Sequence, residues 1–340
     1  MDPVKSVQRS PDFWFEDGTI VLQADNVLYR VYRGFLASRS AVFRDMFSTP
    51  QPADEPLIEG CPVVQLHDTA EELALFLKAL LPSNPPTAFN TSPVCNLSEL
   101  VSVLRLSEKY DVPALCAFME SILVALYPTT LEGWDAGPAL RYPLFSLFSD
   151  GHGPLIVPGY AEGEEDHVKV LDVAVARGLR SILPAVLYCV VVYEHTFISQ
   201  IQDKEYLQRC ITALPELAFA RKNIEGCMYS SPKNNGCAQQ AACAQVKTEM
   251  GYDEARETDP DAMCDPFGLS GPSIKYSGGG VCVNCLEISQ LEYEEGRNNW
   301  WEDLPKTFGL GTWEELREQD EARTQILNNN LLVAARAQSS

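Results

Sequence analysis

From Thr19 to Arg33 the chain reads TIVLQADNVLYRVYR, with Ile20 and Leu22 pointing one way and Val27, Tyr29 and Val31 sharing a face. Asp25 and Asn26 between the two runs tolerate turn geometry, so the pattern predicts a β-hairpin. The period then changes. In FLASRSAVFRDMFS, residues Val42, Phe43, Met46 and Phe47 recur at helical spacing, with Ser38 or Ser40 available as the cap. CPVVQLHD, beginning at Cys61, predicts one more short strand.

Helical periodicity dominates from Thr69 onward. Thr69 and Glu72 form a capping box ahead of the stripe Leu73, Phe76, Leu77 and Leu80. After a proline-rich loop, Asn96 and Glu99 open a second helix carrying Leu97, Leu100, Val101 and Leu104. Pro113 suits the first turn of a third, with Leu115, Phe118, Met119 and Ile122 on its stripe. DHVKVLDVAVARGLRSILPAVLYCVVV repeats the device: Gly178 stands where one helix ends and Pro184 where the next begins. A helix is expected over Ile211–Asn223. Between Gly226 and Gly280 the periodicity fades into SSPKNNG, DPDAMCDPFG and SGGG, which predicts long loops with one short helix near Gln239–Val246. A helix from Val281 to about Trp301 and another opened by Thr312 and Glu315 complete the pattern, and AARAQSS reads as a frayed tail.

Composition narrows the function classes. The chain has 340 residues, 46% of them apolar, which suits a globular protein of two or three domains. A formal charge of −21 argues against a nucleic-acid groove or an anionic membrane as partner. MDPVKSVQRS lacks the apolar core of a signal peptide, and the apolar run Ile182–Tyr193 is too short to span a bilayer. Eleven cysteines, an odd number, without a secretion signal suggest reduced thiols in the cytosol or nucleus. The sequons at Asn90 and Asn96 then read as accidental.

The stretch DGTIVLQADNVLYRVYRGFLASRSAVFRDMF resembles the start of a BTB/POZ domain. That start is a hairpin followed by a helical pair with the pattern V-H-R-x-x-L-A-x-x-S-x-x-F-x-x-M-F. CPVVQLHD is similar to the family's third strand and LSEKYDVPAL to its late helix pair. The resemblance covers roughly Asp17 to Tyr127, and Tyr32 stands where the family commonly has His. The whole chain is similar to a fungal subgroup in which this domain precedes helices and a segment containing Cys and Trp. The implied fold class is α+β: a small sheet flanked by helices, then a mainly α-helical C-terminal region. The expected organisation is a leader at 1–16, the BTB/POZ domain at 17–127, a helical extension at 128–225, a loop-rich Cys-containing segment at 226–280, C-terminal helices at 281–318 and a tail at 319–340. The resemblance implies homodimerisation, unidentified protein partners, and sometimes recruitment to a cullin ubiquitin ligase. It also implies a charged pocket, for which Asp17 and Arg33 are the candidates.

Candidate chemistry is sparse. No nucleophile elbow, Walker A loop or G-x-G-x-x-G occurs, so no catalytic residue is assigned. Cys282 and Cys285 form a CxxC, half of a zinc site, which two of Cys227, Cys237 and Cys243 would complete as a structural staple. The alternative is reduced thiols packed as small hydrophobes. His67, His152, His167 and His195 show no metal spacing. Phe13, Trp14 and Phe15 either pack across a second copy or cover their own domain's edge, and Leu36 is a further interface candidate. Arg30, Arg33, Arg39 and Arg44 pair across such an interface with Asp17 or Asp45, or are ordinary solvated residues. Trp300 and Trp301 read as packing onto the preceding helices rather than as anchors for a partner. Three functions compete: a self-associating adaptor or scaffold, a cullin substrate adaptor, and an enzyme with an unrecognised Cys/His site in the C-terminal half. A transcription regulator would need a DNA-binding module, and the sequence shows none.

Overall fold

The computed structural model describes residues 6–49, 57–80, 97–136, 166–193, 195–229, 236–257, 264–268, 271–272, 276 and 280–338. It is mixed α and β, and divides after Leu126 into two units. The first holds a five-stranded sheet in the order β1-β3-β2-β5-β4.

The hairpin forms as its alternation requires. Strands β2 (Ile20–Ala24) and β3 (Val27–Val31) pair antiparallel, Ile20 opposite Val31 and Ala24 opposite Val27. Asp25 turns the chain at φ 47°, in the left-handed region that Asp visits more readily than most residues. The next stretch is two helices, α1 (Arg33–Arg39) and α2 (Ala41–Ser48), broken at Ser40. Ser40 accepts from the Phe43 N–H at 3.0 Å and so caps α2, while its hydroxyl donates to the Tyr110 carbonyl. Strand β5 (Cys61–Leu66) lies parallel to β2, and β4 (Leu57–Ile58) pairs with it at the edge.

Helices α3 (Ala70–Leu80), α4 (Leu97–Lys109) and α5 (Pro113–Leu126) complete the unit. The capping box is reciprocal: Thr69 accepts from the Glu72 N–H at 3.2 Å and donates to the Glu72 carboxylate at 3.0 Å. The cap expected of Asn96 and the sequons lie outside the described residues. Tyr110 ties the elements together. Its ring stacks on Phe43 at 4.5 Å, and its hydroxyl donates to the buried Asp68, which also accepts from Lys109 at 2.5 Å.

The leader is not separate from this unit. Gln8–Trp14 forms β1, parallel to β3, with Gln8 opposite Val27 and Trp14 opposite Arg30. Ser10 and Pro11 break the apolar alternation, but an edge strand tolerates a residue without an N–H. Phe13 enters the core beside Tyr29, their ring centroids 6.2 Å apart.

The second unit is helical: α6 (Leu131–Asp135), α7 (Asp166–Arg177), α8 (Leu183–Tyr193), a 3-10 turn at His195–Gln200, α9 (Lys204–Tyr229), α10 (Gln240–Glu257), α11 (Val283–Thr307) and α12 (Trp313–Gln338). Helix α8 is the apolar run, buried along nearly all its length. No helix among the described residues is long and apolar enough to cross a membrane. Three expectations are corrected. Helix α9 extends well beyond Ile211–Asn223, because Pro215 lies on an exposed face where its missing N–H costs less. Helix α10 fills much of the segment expected as loops, and α12 continues through the expected tail to Gln338.

Trp301 is fully buried at the centre of an aromatic cluster, 5.7 Å from Trp313, 5.3 Å from Trp134 and 5.2 Å from Phe267. Its indole N–H donates to the Thr129 carbonyl, and its own carbonyl accepts from Trp313 at 2.8 Å. Asp320 of α12 accepts from the Arg180 N–H, the Ser181 N–H and the Ser181 hydroxyl, fixing the turn before α8. His167 is buried with Nδ1 2.7 Å from the Tyr127 hydroxyl.

Two of these buried side chains should be visible in stability. Phe13→Ala should destabilise the first unit by about 3 kcal/mol, because it empties a filled core site; chemical denaturation measures this. Burial lowers His167 from 6.5 to about 4. Between those values the unfolded chain binds a proton that the folded chain does not, so stability is full above pH 6.5 and falls as the pH drops toward 4. The loss should reach about 3 kcal/mol, and His167→Gln should remove that part of the acid dependence of the melting temperature.

Candidate metal centre

Four cysteines of the second unit converge. The sulfurs of Cys237, Cys243, Cys282 and Cys285 lie within 4.8 Å of one another, and the group could hold a metal ion. Two come from each side. Cys237 precedes α10, and Cys243 sits in its first turn, its N–H bonded to the Gln239 carbonyl. Cys282 is the N-cap of α11 and Cys285 lies one turn inside.

The CxxC spacing works here because it spans a helix start. Cap and third helical position share one side of the first turn, where N–H groups have no intrahelical partner and can point at sulfur. The Cys285 N–H does so toward Cys282, whose thiol is drawn down to about 7. The Cys282 N–H in turn donates to the Cys243 sulfur at 3.2 Å. Burial pushes Cys243 and Cys285 upward, so both favour the thiol unless a cation replaces the proton. Gly280, at φ 104°, admits the chain to this site: a Cβ there would stand 3.0 Å from Val246.

The donor set fits a tetrahedral ion. A Zn–S bond of about 2.3 Å implies sulfurs roughly 3.8 Å apart. Cys237 and Cys282 stand at 3.7 Å, well beyond the reach of an S–S bond. The structure therefore brings together the expected Cys282 and Cys285 with Cys237 and Cys243. Cys227 is on α9 and turns back on its own helix, its thiol 3.3 Å from the Asn223 carbonyl. One turn beyond the centre, at Cys243 plus four and Cys285 plus four, buried Lys247 donates to buried Ser289 at 2.6 Å. The periodicity gave no sign of that pair, since a lysine on a polar helix reads as solvated.

The other expected site residues lie elsewhere. Phe13 and Leu36 are core residues of the first unit. Trp14 lies under Arg9 at 4.5 Å, and Phe15 stacks on Tyr32 at 5.1 Å. Asp17 and Arg33 do not form the expected charged pocket. Asp17 accepts from the Tyr32 hydroxyl at 2.8 Å, whereas Arg33 donates to the Phe47 carbonyl and covers its ring. The tyrosine at the position where histidine was expected thus takes the carboxylate, and the guanidinium satisfies an otherwise open carbonyl at the end of α2. Arg30 pairs with Glu59 at 2.9 Å and Arg39 lies over Phe35 at 4.9 Å. Phe15, Val31, Tyr32, Phe35 and Leu77 line an apolar pocket whose floor includes Phe13 and Leu36. His67 is exposed; His152 and the side chain of His195 lie outside the described residues. Trp300 is partly buried beside Phe219 on α9, centroids 6.3 Å apart. Compared with known proteins, the chain matches no family model, no curated protein and no solved structure.

Proposed function

We propose that this chain is a protein–protein interaction module that self-associates through a BTB/POZ domain and acts as an adaptor or scaffold. One observation carries the reading. The first unit runs hairpin, paired helices, a strand parallel to the hairpin's first strand, then three helices, the order that the resemblance implies. The aromatic face formed by Phe15, Tyr32 and Phe35 beside an apolar pocket supports the twofold contact. A self-complementary patch needs apolar area with charges at its rim, and exposed Asp17 and Arg33 flank this one. Because Arg33 and Asp17 are already engaged within the chain, apolar contact and not charge drives association.

The second unit positions or binds partners, and one structural zinc ion on Cys237, Cys243, Cys282 and Cys285 closes it. Soft thiolates at tetrahedral separation favour zinc among the common divalent ions. Such a site adds its binding free energy to folding where two polar helices bury little apolar surface.

Light scattering at micromolar concentration should give twice the 37.7 kDa chain mass, and Phe15→Asp combined with Phe35→Asp should shift it toward monomer. A strict monomer at every accessible concentration would overturn self-association. Metal analysis of protein purified in native buffer should give about one zinc per chain, with a lower melting temperature after chelation. Metal-free protein whose melting temperature ignores chelator would overturn the zinc assignment.

A further inference from the structure

Lys247 is the one buried lysine among the described residues, at 3% exposure. Its ammonium donates to the Ser289 hydroxyl, which is itself fully buried, and no carboxylate among the described residues pairs with it. A buried cation with only a neutral partner is costly, and proteins normally supply a counter-ion or leave such a residue in water. Its place in the fold supplies one. Lys247 lies four residues past Cys243 on α10 and Ser289 four past Cys285 on α11, so each sits on the same helix face as a sulfur of the centre, one turn away. One turn is about 6 Å along the axis, near enough for strong interaction where solvent is excluded.

The centre has the complementary deficit. Four thiolates around a divalent ion sum to two negative charges, and the half of the centre formed by buried Cys243 and Cys285 needs a cation nearby. Resting on the zinc reading, we infer that Lys247, held by Ser289, is the built-in counter-charge of a dianionic tetrathiolate centre and acts as a positioning residue for the metal. The lysine then offsets one of the centre's two negative charges within the protein, and the buried ammonium gains the counter-charge it otherwise lacks. The arrangement also sets a direction. With the metal gone, the centre loses its bound ion and Lys247 loses the dianionic centre it faces, so the metal-free form is destabilised twice over.

The test uses the full chain and zinc competition against a chromophoric chelator at neutral pH, with thermal melts of the loaded and stripped forms. Lys247→Met should bind zinc 10- to 100-fold more weakly, the range by which second-layer partners alter metal affinity. Its stripped form should melt no lower than the stripped parent, because a buried charge has been removed. A residue serving only to pack would lower both melts alike and leave affinity unchanged, and that result overturns the inference. Ser289→Ala keeps the charge but frees the ammonium; it should weaken zinc several-fold, and serves if Lys247→Met does not fold. Unchanged affinity in Ser289→Ala would then overturn the inference. Cys285→Ala separates the two readings. If the parent binds zinc and Cys285→Ala does not, the centre stands and Lys247 is judged on its own variant. If the parent takes up no zinc, or Cys285→Ala binds as the parent does, the centre and its counter-charge both fall.

Discussion

Helix α11 is the spine of the C-terminal unit because its two ends are fixed by different chemistry. Its start presents Cys282 and Cys285 to the thiol cluster, and its end buries Trp301 among Trp134, Phe267 and Trp313. Between them the exposed positions are mostly Glu and Asn, and the buried ones few: Ser289 and Tyr293. A helix this polar gains little from propensity alone and depends on tertiary contacts to persist. Here those contacts are concentrated at the ends, with α9 packed alongside through Ile224 and Met228. The first unit solves the same problem with one side chain. Tyr110 gives its ring to Phe43, its hydroxyl to Asp68 and its carbonyl to Ser40, linking α2, α4 and the end of β5.

These two solutions differ in kind. Around Tyr110 every polar group finds a protein partner, so the network is closed and adds specificity to a core of ordinary apolar packing. Around the thiols the partners are other thiols and the backbone N–H groups at the start of α11, and the group is left open to a cation. The N-terminal unit is thus complete as a folded object. The C-terminal unit carries four converging sulfurs that could hold a metal ion, with the buried Lys247–Ser289 pair one turn away.

Much of the first unit, and the start of the second, was legible in the sequence. The hairpin at Asp25–Asn26, the box at Thr69 and Glu72, and the breaks at Gly178 and Pro184 are local signals, decided by a few neighbouring residues, and all recur in the structure. Strand β1 was not legible, since Ser10 and Pro11 erase its alternation and its place is set by the open edge of β3. Pro215 similarly hid the length of α9, because a helix-breaking residue is tolerated where its face meets water. For the thiols, the sequence narrowed the donors to five. Choosing Cys237 and Cys243 over Cys227 required knowing that α9 turns Cys227 onto its own backbone. The pairing of Lys247 with Ser289 spans 42 positions and lies between two helices whose own patterns are polar, so no periodicity could announce it.

The geometry of α11 has a consequence for how this chain can diverge. Cys285 and Trp301 sit on one continuous helix, so the number of residues between them sets both their separation and their relative rotation. Inserting or deleting a single residue would turn one end by roughly 100° against the other and move it by about 1.5 Å, pulling either the sulfur or the indole off its target. Substitutions on the wet face leave that relation untouched. Drift in this segment is therefore free in letter and fixed in count, and a distant relative would be marked by a conserved interval between a cysteine and a tryptophan more than by any run of shared residues.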